Sequence, residues 1–146
     1  MDFPKALIVV RCFIKKDNKI LLLRWVKEER FNPEKWELPG GKVEAGQDLS
    51  SAAEKEALEE AGLLVKIISP RTYCETRVNP PSEGGMLHKY PGMLYVGLTY
   101  EARVVSGQIR LSEEHFKHKW ADPKEILDFD LTLYSRKAIT FFLDSD

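Results

Sequence analysis

Three glutamates, Glu56, Glu59 and Glu60, crowd into little more than one helical turn of the stretch Asp48 to Ala61. On a wheel turning about 100° per residue from Leu49 at 0°, Ala52 falls near ~300° and Ala53 near ~40°. These small apolar side chains mark the face that packs inward. An ordinary amphipathic helix puts its acids on the other side. Here Glu56 falls near ~340°, Glu60 near ~20° and Glu59 near ~280° on the same wheel, so the acids continue the buried face. Neighbouring anions on such a face repel one another and resist desolvation. A bound cation removes that conflict, and carboxylate oxygens suit a hard cation such as Mg²⁺ or Mn²⁺. A helix whose last turn emerges into water would also keep three acids hydrated. The wheel alone leaves both readings open.

A glycine-rich stretch, Pro39-Gly40-Gly41-Lys42, precedes this helix. Glycines permit tight turns and close approach of backbone groups to a ligand, although a Gly-Gly pair alone usually marks only a turn. Around these features the sequence predicts the elements that must position them. Ala6 to Ile14 and Lys19 to Val26 are apolar runs separated by Lys15-Lys16-Asp17-Asn18, and read as a β-hairpin. Lys27 to Lys35 is expected to be a loop, Trp36 to Leu38 a short strand, and Pro39-Gly40-Gly41 its end. Asp48 is the expected N-cap of the helix and Gly62 its C′ residue. Leu63 to Ile68, Arg71 to Val78, Met93 to Val105 and His118 to Ala121 read as strands, with a turn at Ser106-Gly107-Gln108. Asn79 to Gly92, rich in Pro and Gly, reads as a long loop that could act as a lid. Asp122 with Pro123 starts a short helix, and Leu131 to Leu143 forms a C-terminal one. The expectation is one mixed α/β domain over residues 1–146.

Bulk properties exclude several function classes. The net charge of -1 provides no global basic field for a nucleic-acid polymer or an acidic membrane. No apolar run is long enough to span a bilayer. Met1-Asp-Phe-Pro-Lys-Ala lacks the basic start and apolar run of a signal peptide. Cys12 and Cys74 form no CxxC pair and read as reduced thiols. A cytoplasmic protein is expected.

Gly41 to Leu63 resembles the Nudix box, G-x5-E-x7-R-E-U-x-E-E-x-G-U with U a bulky aliphatic residue. Gly41, Glu56, Glu59, Glu60, Gly62 and Leu63 match it outright. Gln47 stands where the motif has Glu, Lys55 where it has Arg, and Ala57 where it has a larger aliphatic. Glu37 to Glu44 also resembles the usual lead-in. The resemblance implies an α/β/α sandwich with a mixed central sheet. It implies a Mg²⁺- or Mn²⁺-dependent hydrolase that cleaves a nucleoside diphosphate linked to another group. Carried over residue by residue, Glu59 and Glu60 would be metal ligands, Glu56 a ligand or base, and the Gly40 carbonyl a further ligand. Gln47 and Lys55 motivate an alternative, a nucleotide-sensing module without hydrolysis.

Some members of that family use a further carboxylate from a later loop, for which Glu113 and Glu114 are the candidates. His115 and His118 form an HxxH spacing, which without partners reads as a surface pair. Arg24, Lys35, Lys42 and Arg77 are candidates for phosphate contact. Trp36, with Trp25, Phe31, Tyr90 and Tyr95, is a candidate for stacking on a base, and each of these aromatics alone fits core packing better. The expected partner is a small nucleotide, and a homodimer is expected from the resemblance.

Overall fold

The computed structural model describes residues 3–27, 33–78 and 93–144. The long loop Asn79 to Gly92, with Tyr90, and the aromatic Phe31 lie outside the described residues. Strands β1 (Ala6–Lys16) and β2 (Lys19–Trp25) form the expected hairpin; β1 runs two residues further toward the turn than its apolar stretch, and β2 starts at Lys19 as expected. Asp17 and Asn18 have φ of 51° and 61°. Two successive positive φ values make a type I′ turn, whose twist matches that of the strands it joins.

The two strands pair only beside this turn, at Lys15–Ile20 and Lys16–Lys19. Further along they splay, and β3 (Trp36–Glu37) and β4 (Gly40–Lys42) fill the wedge. β3 pairs with β2, and β4 pairs with β1 through Val9–Lys42, Val10–Gly41 and Arg11–Gly40. The stretch expected to be only a turn is therefore a short strand. Its glycines serve close packing: a Cβ at Gly40 would lie 2.3 Å from the Val10 carbonyl oxygen.

Helix α1 (Leu49–Ala61) begins and ends where its caps predict. The Asp48 carboxylate accepts from the Ser51 N–H at 3.1 Å, and Gly62 adopts φ 75°. The chain returns as β5 (Leu63–Val78), one strand in place of two. Its register against β6 (Leu94–Gly107) shifts between Ile67 and Thr72, which is where the sequence suggested a break. β6 pairs parallel to β1 over Ala6 to Lys15, so the sheet is mixed. β7 (His115–Ala121) starts earlier than expected and pairs along the outer edge of β2. In place of the short helix after Asp122, a turn leads into a single 3₁₀ turn at Ile126–Asp128. Asp122 Oδ1 accepts from the Lys124 N–H at 2.9 Å and holds that turn. Helix α2 (Leu133–Asp144) starts after Leu131, which is taken by a bridge to Trp36.

Side chains alternate across the central strands. Val10, Cys12, Ile14, Leu21 and Leu23 face α1, whereas Phe13, Ile20 and Leu22 face α2. A sheet covered on both faces explains why β1 and β2 read as continuous apolar runs. Ala52, Ala53, Ala57 and Ala61 lie on the sheet side of α1, so the helix backbone sits close to the strands. The Cys12 thiol reaches the Ala53 carbonyl at 3.3 Å. Both cysteines are free thiols. No described helix is long and apolar enough to cross a membrane.

Gly62 combines a left-handed backbone with a close neighbour, since a Cβ there would lie 2.8 Å from the Gln108 carbonyl oxygen. Gly62→Ala is expected to lower the unfolding free energy by about 1–3 kcal/mol. Urea denaturation of the two proteins measures this, and an unchanged midpoint would contradict it.

Candidate active site

The wheel places the three acids on one face, and the tertiary structure grades their burial. Glu60 is 6% exposed, Glu56 is half-buried, and Glu59 is exposed. Glu60 points into the wedge between β1 and β2, where its Oε1 accepts from the Gly40 N–H at 2.7 Å. Glu56 lies against Gly41, where a Cβ would sit 2.5 Å from its carboxyl carbon. Only glycine leaves room for that carboxylate. Glu37, on β3, faces the same space and is 8% exposed.

A second set of contacts brings the far end of the chain to these acids. The last carbonyls of a helix lack partners within it. Here Ala61 accepts from the Arg110 N–H at 2.8 Å and Glu60 from the Ser112 N–H at 3.2 Å. The turn and strand that follow carry Glu114 and His115 to the cluster. The Glu114 carbonyl accepts from the Val26 N–H at 2.9 Å, which fixes it to the end of β2.

Electrostatics follow from this crowding. Burial, then the charge of Glu37, hold the Glu60 carboxyl well above the usual carboxylate range; Glu114 and Glu56 add to this, and the Gly40 N–H opposes it. Burial also raises Glu56, reinforced by Glu59, Glu114 and Glu44 and opposed by Lys55. Glu60 and Glu56 are therefore crowded by like charges, which Lys55 offsets only in part for Glu56. A hard divalent cation would meet carboxylate oxygens and offset that repulsion, so the donor set fits Mg²⁺ or Mn²⁺.

These residues line one cleft of about 550 Å³. Its acids are Glu37, Glu56, Glu59, Glu60 and Glu114, and Arg11, Tyr95, Tyr134, Leu7 and Val9 also line it. Arg11 donates to the Tyr95 hydroxyl at 2.7 Å and lies 5.2 Å from the centre of the Tyr134 ring. Burial alone would lower its pKa, but Tyr95, Glu37 and Glu75 outweigh that and raise it. The cleft thus combines acids with a fixed cation.

Of the residues singled out from sequence, Glu56, Glu59, Glu60, Gly40, Lys42 and Glu114 line the cleft together. Trp25 and Tyr95 also line it. Glu113, Arg24, Trp36 and Arg77 are not among the lining residues. Arg24 lies over the rings of Trp36 and Phe116 and donates to the Glu34 carbonyl. Trp36 packs edge-on against Phe129. Arg77 sits over Tyr134 at 4.3 Å, behind the wall of the cleft. Lys35 pairs with Asp130 at 3.2 Å.

The two departures within the helix region have local explanations. Gln47 accepts from the Glu44 N–H through its side chain at 2.7 Å and closes the turn before α1, outside the cleft. Lys55 pairs with Glu59 at 3.6 Å, one turn on.

Sequence reading missed Glu37, His115, Arg11 and Tyr134 as site residues. The HxxH pair divides: His118 is exposed, but His115 is 3% exposed beside Glu37. His115 Nε2 lies 3.7 Å from Glu37 Oε1, and Trp25 stacks on its ring at 4.7 Å. The sequence signals for His115 were its HxxH spacing with His118 and its place next to Glu114.

Comparison with known proteins agrees with this geometry. The model of the NUDIX domain family matches residues 5–142. The nucleoside triphosphatase NudI of Escherichia coli O17:K52:H18 (strain UMN026 / ExPEC) is 28% identical over 134 residues, covering 90% of this chain and 92% of its own. The crystal structure of the MutT protein from Methanosarcina mazei Go1 is similar with a TM-score of 0.72 and 25% identity, over 97% of this chain and 96% of that one. An ADP-ribose pyrophosphatase from Streptococcus suis 89-1591 shares the fold, with a TM-score of 0.65 and 20% identity over 95% and 90% of the two chains.

A carboxyl whose pKa is higher folded than unfolded contributes stability that is complete below the unfolded value. That contribution is lost as pH rises through the folded value. For Glu60 the loss begins above the ordinary glutamate value of 4.5. In chelator, Glu60→Gln is therefore expected to melt increasingly above the parent as pH rises from about 5 to about 8. Thermal unfolding across that range checks it, and a pH-independent difference would count against the buried, crowded carboxylate.

Proposed function

The chain belongs to the Nudix family of pyrophosphohydrolases, and from that premise we propose that it hydrolyses a nucleoside triphosphate or similar nucleoside diphosphate derivative with Mg²⁺ or Mn²⁺. The observation that carries this reading is the buried Glu60 carboxylate, held by the Gly40 N–H among Glu37, Glu56 and Glu114. Relatedness to NudI, a nucleoside triphosphatase matched over 92% of its length, supports a triphosphate as the first substrate class to test.

In this reading Glu60, Glu56 and Glu59 hold the cation, with the Gly40 carbonyl as a further donor. When bound, a divalent ion polarises phosphoryl oxygens and lowers the pKa of a water. The chain's own groups do the rest. Glu56 is half-buried among other acids, which raises its proton affinity and suits it to accept a proton at its carboxylate. Glu114 offers a second carboxylate from the segment before β7. Arg11 holds a fixed positive charge in the same cleft, suited to an anionic or aromatic part of the substrate. Lys42 lines the same cleft and supplies a second cation for phosphate.

The binding-only alternative drew on Gln47 and Lys55. Gln47 serves a turn outside the cleft and Lys55 retains its pairing with Glu59, so neither takes a group from the acid cluster. Hydrolysis is accordingly the better supported reading.

Nucleoside triphosphates, nucleotide sugars and ADP-ribose, each with Mg²⁺ or Mn²⁺, form the test panel. Release of a nucleotide product is expected from at least one of them. Glu60→Gln should reduce that turnover by on the order of 100-fold or more. A panel with no product, or a Glu60→Gln variant as fast as its parent, would overturn the proposal. Arg11→Leu is expected to raise KM for the preferred substrate more than it lowers kcat, because Arg11 lines the cleft but is not one of the acids that would hold the cation.

A further inference from the structure

We propose that His115 donates a ring nitrogen to a divalent cation shared with Glu37 and Glu60, giving the cleft a mixed nitrogen and oxygen site. The inference rests on the reading that a cation binds at Glu60. It goes beyond it by assigning an imidazole ligand from a different part of the chain.

Three independent features converge on this. First, His115 is 3% exposed, yet neither ring nitrogen has a hydrogen-bond partner among the described residues. A buried polar group left without a partner is destabilising, and such groups in native proteins call for an explanation. Second, its Nε2 lies 3.7 Å from Glu37 Oε1. That is too long for a hydrogen bond. Two donors each about 2.1 Å from one ion, however, sit roughly 3–4 Å apart. One donor atom from each of Glu37, Glu60 and His115 falls within 4.8 Å of the other two, so small side-chain rotations would close all three on one ion. Third, the ring is held in place. Trp25 lies over it at 4.7 Å with 31° between the planes, which restricts its rotation without occupying its nitrogens.

A simple ion pair between His115 and Glu37 accounts for less. It would bring the pair closer than 3.7 Å, and it would leave Glu60 out of the interaction. A cation satisfies Glu37, Glu60 and one imidazole nitrogen together.

The ligand set has a consequence for metal preference. Carboxylates alone suit Mg²⁺, whereas imidazole favours later first-row ions. His115 therefore biases the site toward Co²⁺ or Zn²⁺ relative to Mg²⁺.

The test uses Mn²⁺ as a probe on the untagged chain, whose three histidines are His88, His115 and His118. Pulsed electron paramagnetic resonance of the Mn²⁺-loaded protein is expected to show modulation from a coordinated imidazole nitrogen. The double variant His88→Gln, His118→Gln should retain it, because His115 is then the sole imidazole. His115→Gln should lose it, and should lower Co²⁺ affinity relative to Mg²⁺ by about tenfold or more. Tight Mn²⁺ binding with no nitrogen modulation would overturn the inference while leaving the cation reading intact. So would modulation that disappears in the double variant. Failure of wild-type protein to bind Mn²⁺ at all would sink both.

Discussion

A carboxylate buried at the end of a helix must be answered by something other than water, and here the Gly40 N–H answers Glu60 at 2.7 Å. The other features of the site depend on this contact. It requires a backbone donor at the inner edge of the sheet, and β1 and β2 must splay to admit one. β3 and β4 enter that gap. The glycines of β4 let it lie against β1 and let the Glu56 carboxylate lie against Gly41. The opposite end of β3 is tied down separately. Trp36 and Leu38 bond to the segment before and within α2, through the Asp130 carbonyl and the Ser135 hydroxyl. The wedge is thus held from both faces of the sheet.

Holding charge in such a place conflicts with stability. Burial raises the cost of ionising Glu60 and Glu56, and the charges of neighbouring acids, Glu37 and Glu114 for Glu60 and Glu59 and Glu114 for Glu56, add to it. Structures keep local conflicts of this kind where function needs them. The alanines of α1 lessen one part of the problem. Ala53 and Ala57 are fully buried, so the helix axis sits close to the sheet and Glu60 reaches the wedge without leaving the helix. The small residue at position 57 fits this arrangement, where the family motif has a bulkier aliphatic.

The cleft combines opposite charges. Acids reach it from β3, α1 and the turn before β7, and Arg11, set against Tyr95 and Tyr134, reaches it from β1. Arg11 pairs with Gly40 through its backbone, yet its side chain points toward β6, where Tyr95 sits.

The sequence by itself determined the parts governed by neighbours along the chain. The Asp48 cap, the Gly62 terminus, the Asp17-Asn18 turn and the doubly buried runs of β1 and β2 are local or periodic effects, legible without a fold. The acid face of α1 was legible for the same reason, since helical spacing alone brings Glu56 and Glu60 together. The tertiary structure decided the rest. The glycines Gly40 and Gly41 carry little strand propensity, and join β4 only because the splayed hairpin offers a partner. Gln47 stands at a motif position, but its hydrogen bond to Glu44 assigns it to a turn. His115 sits more than fifty residues from Glu60 in sequence. It reaches the cluster because the Ser112 N–H caps the Glu60 carbonyl. Spacing along a chain encodes contacts within one element, whereas contacts between elements depend on which backbone groups the fold leaves unpaired.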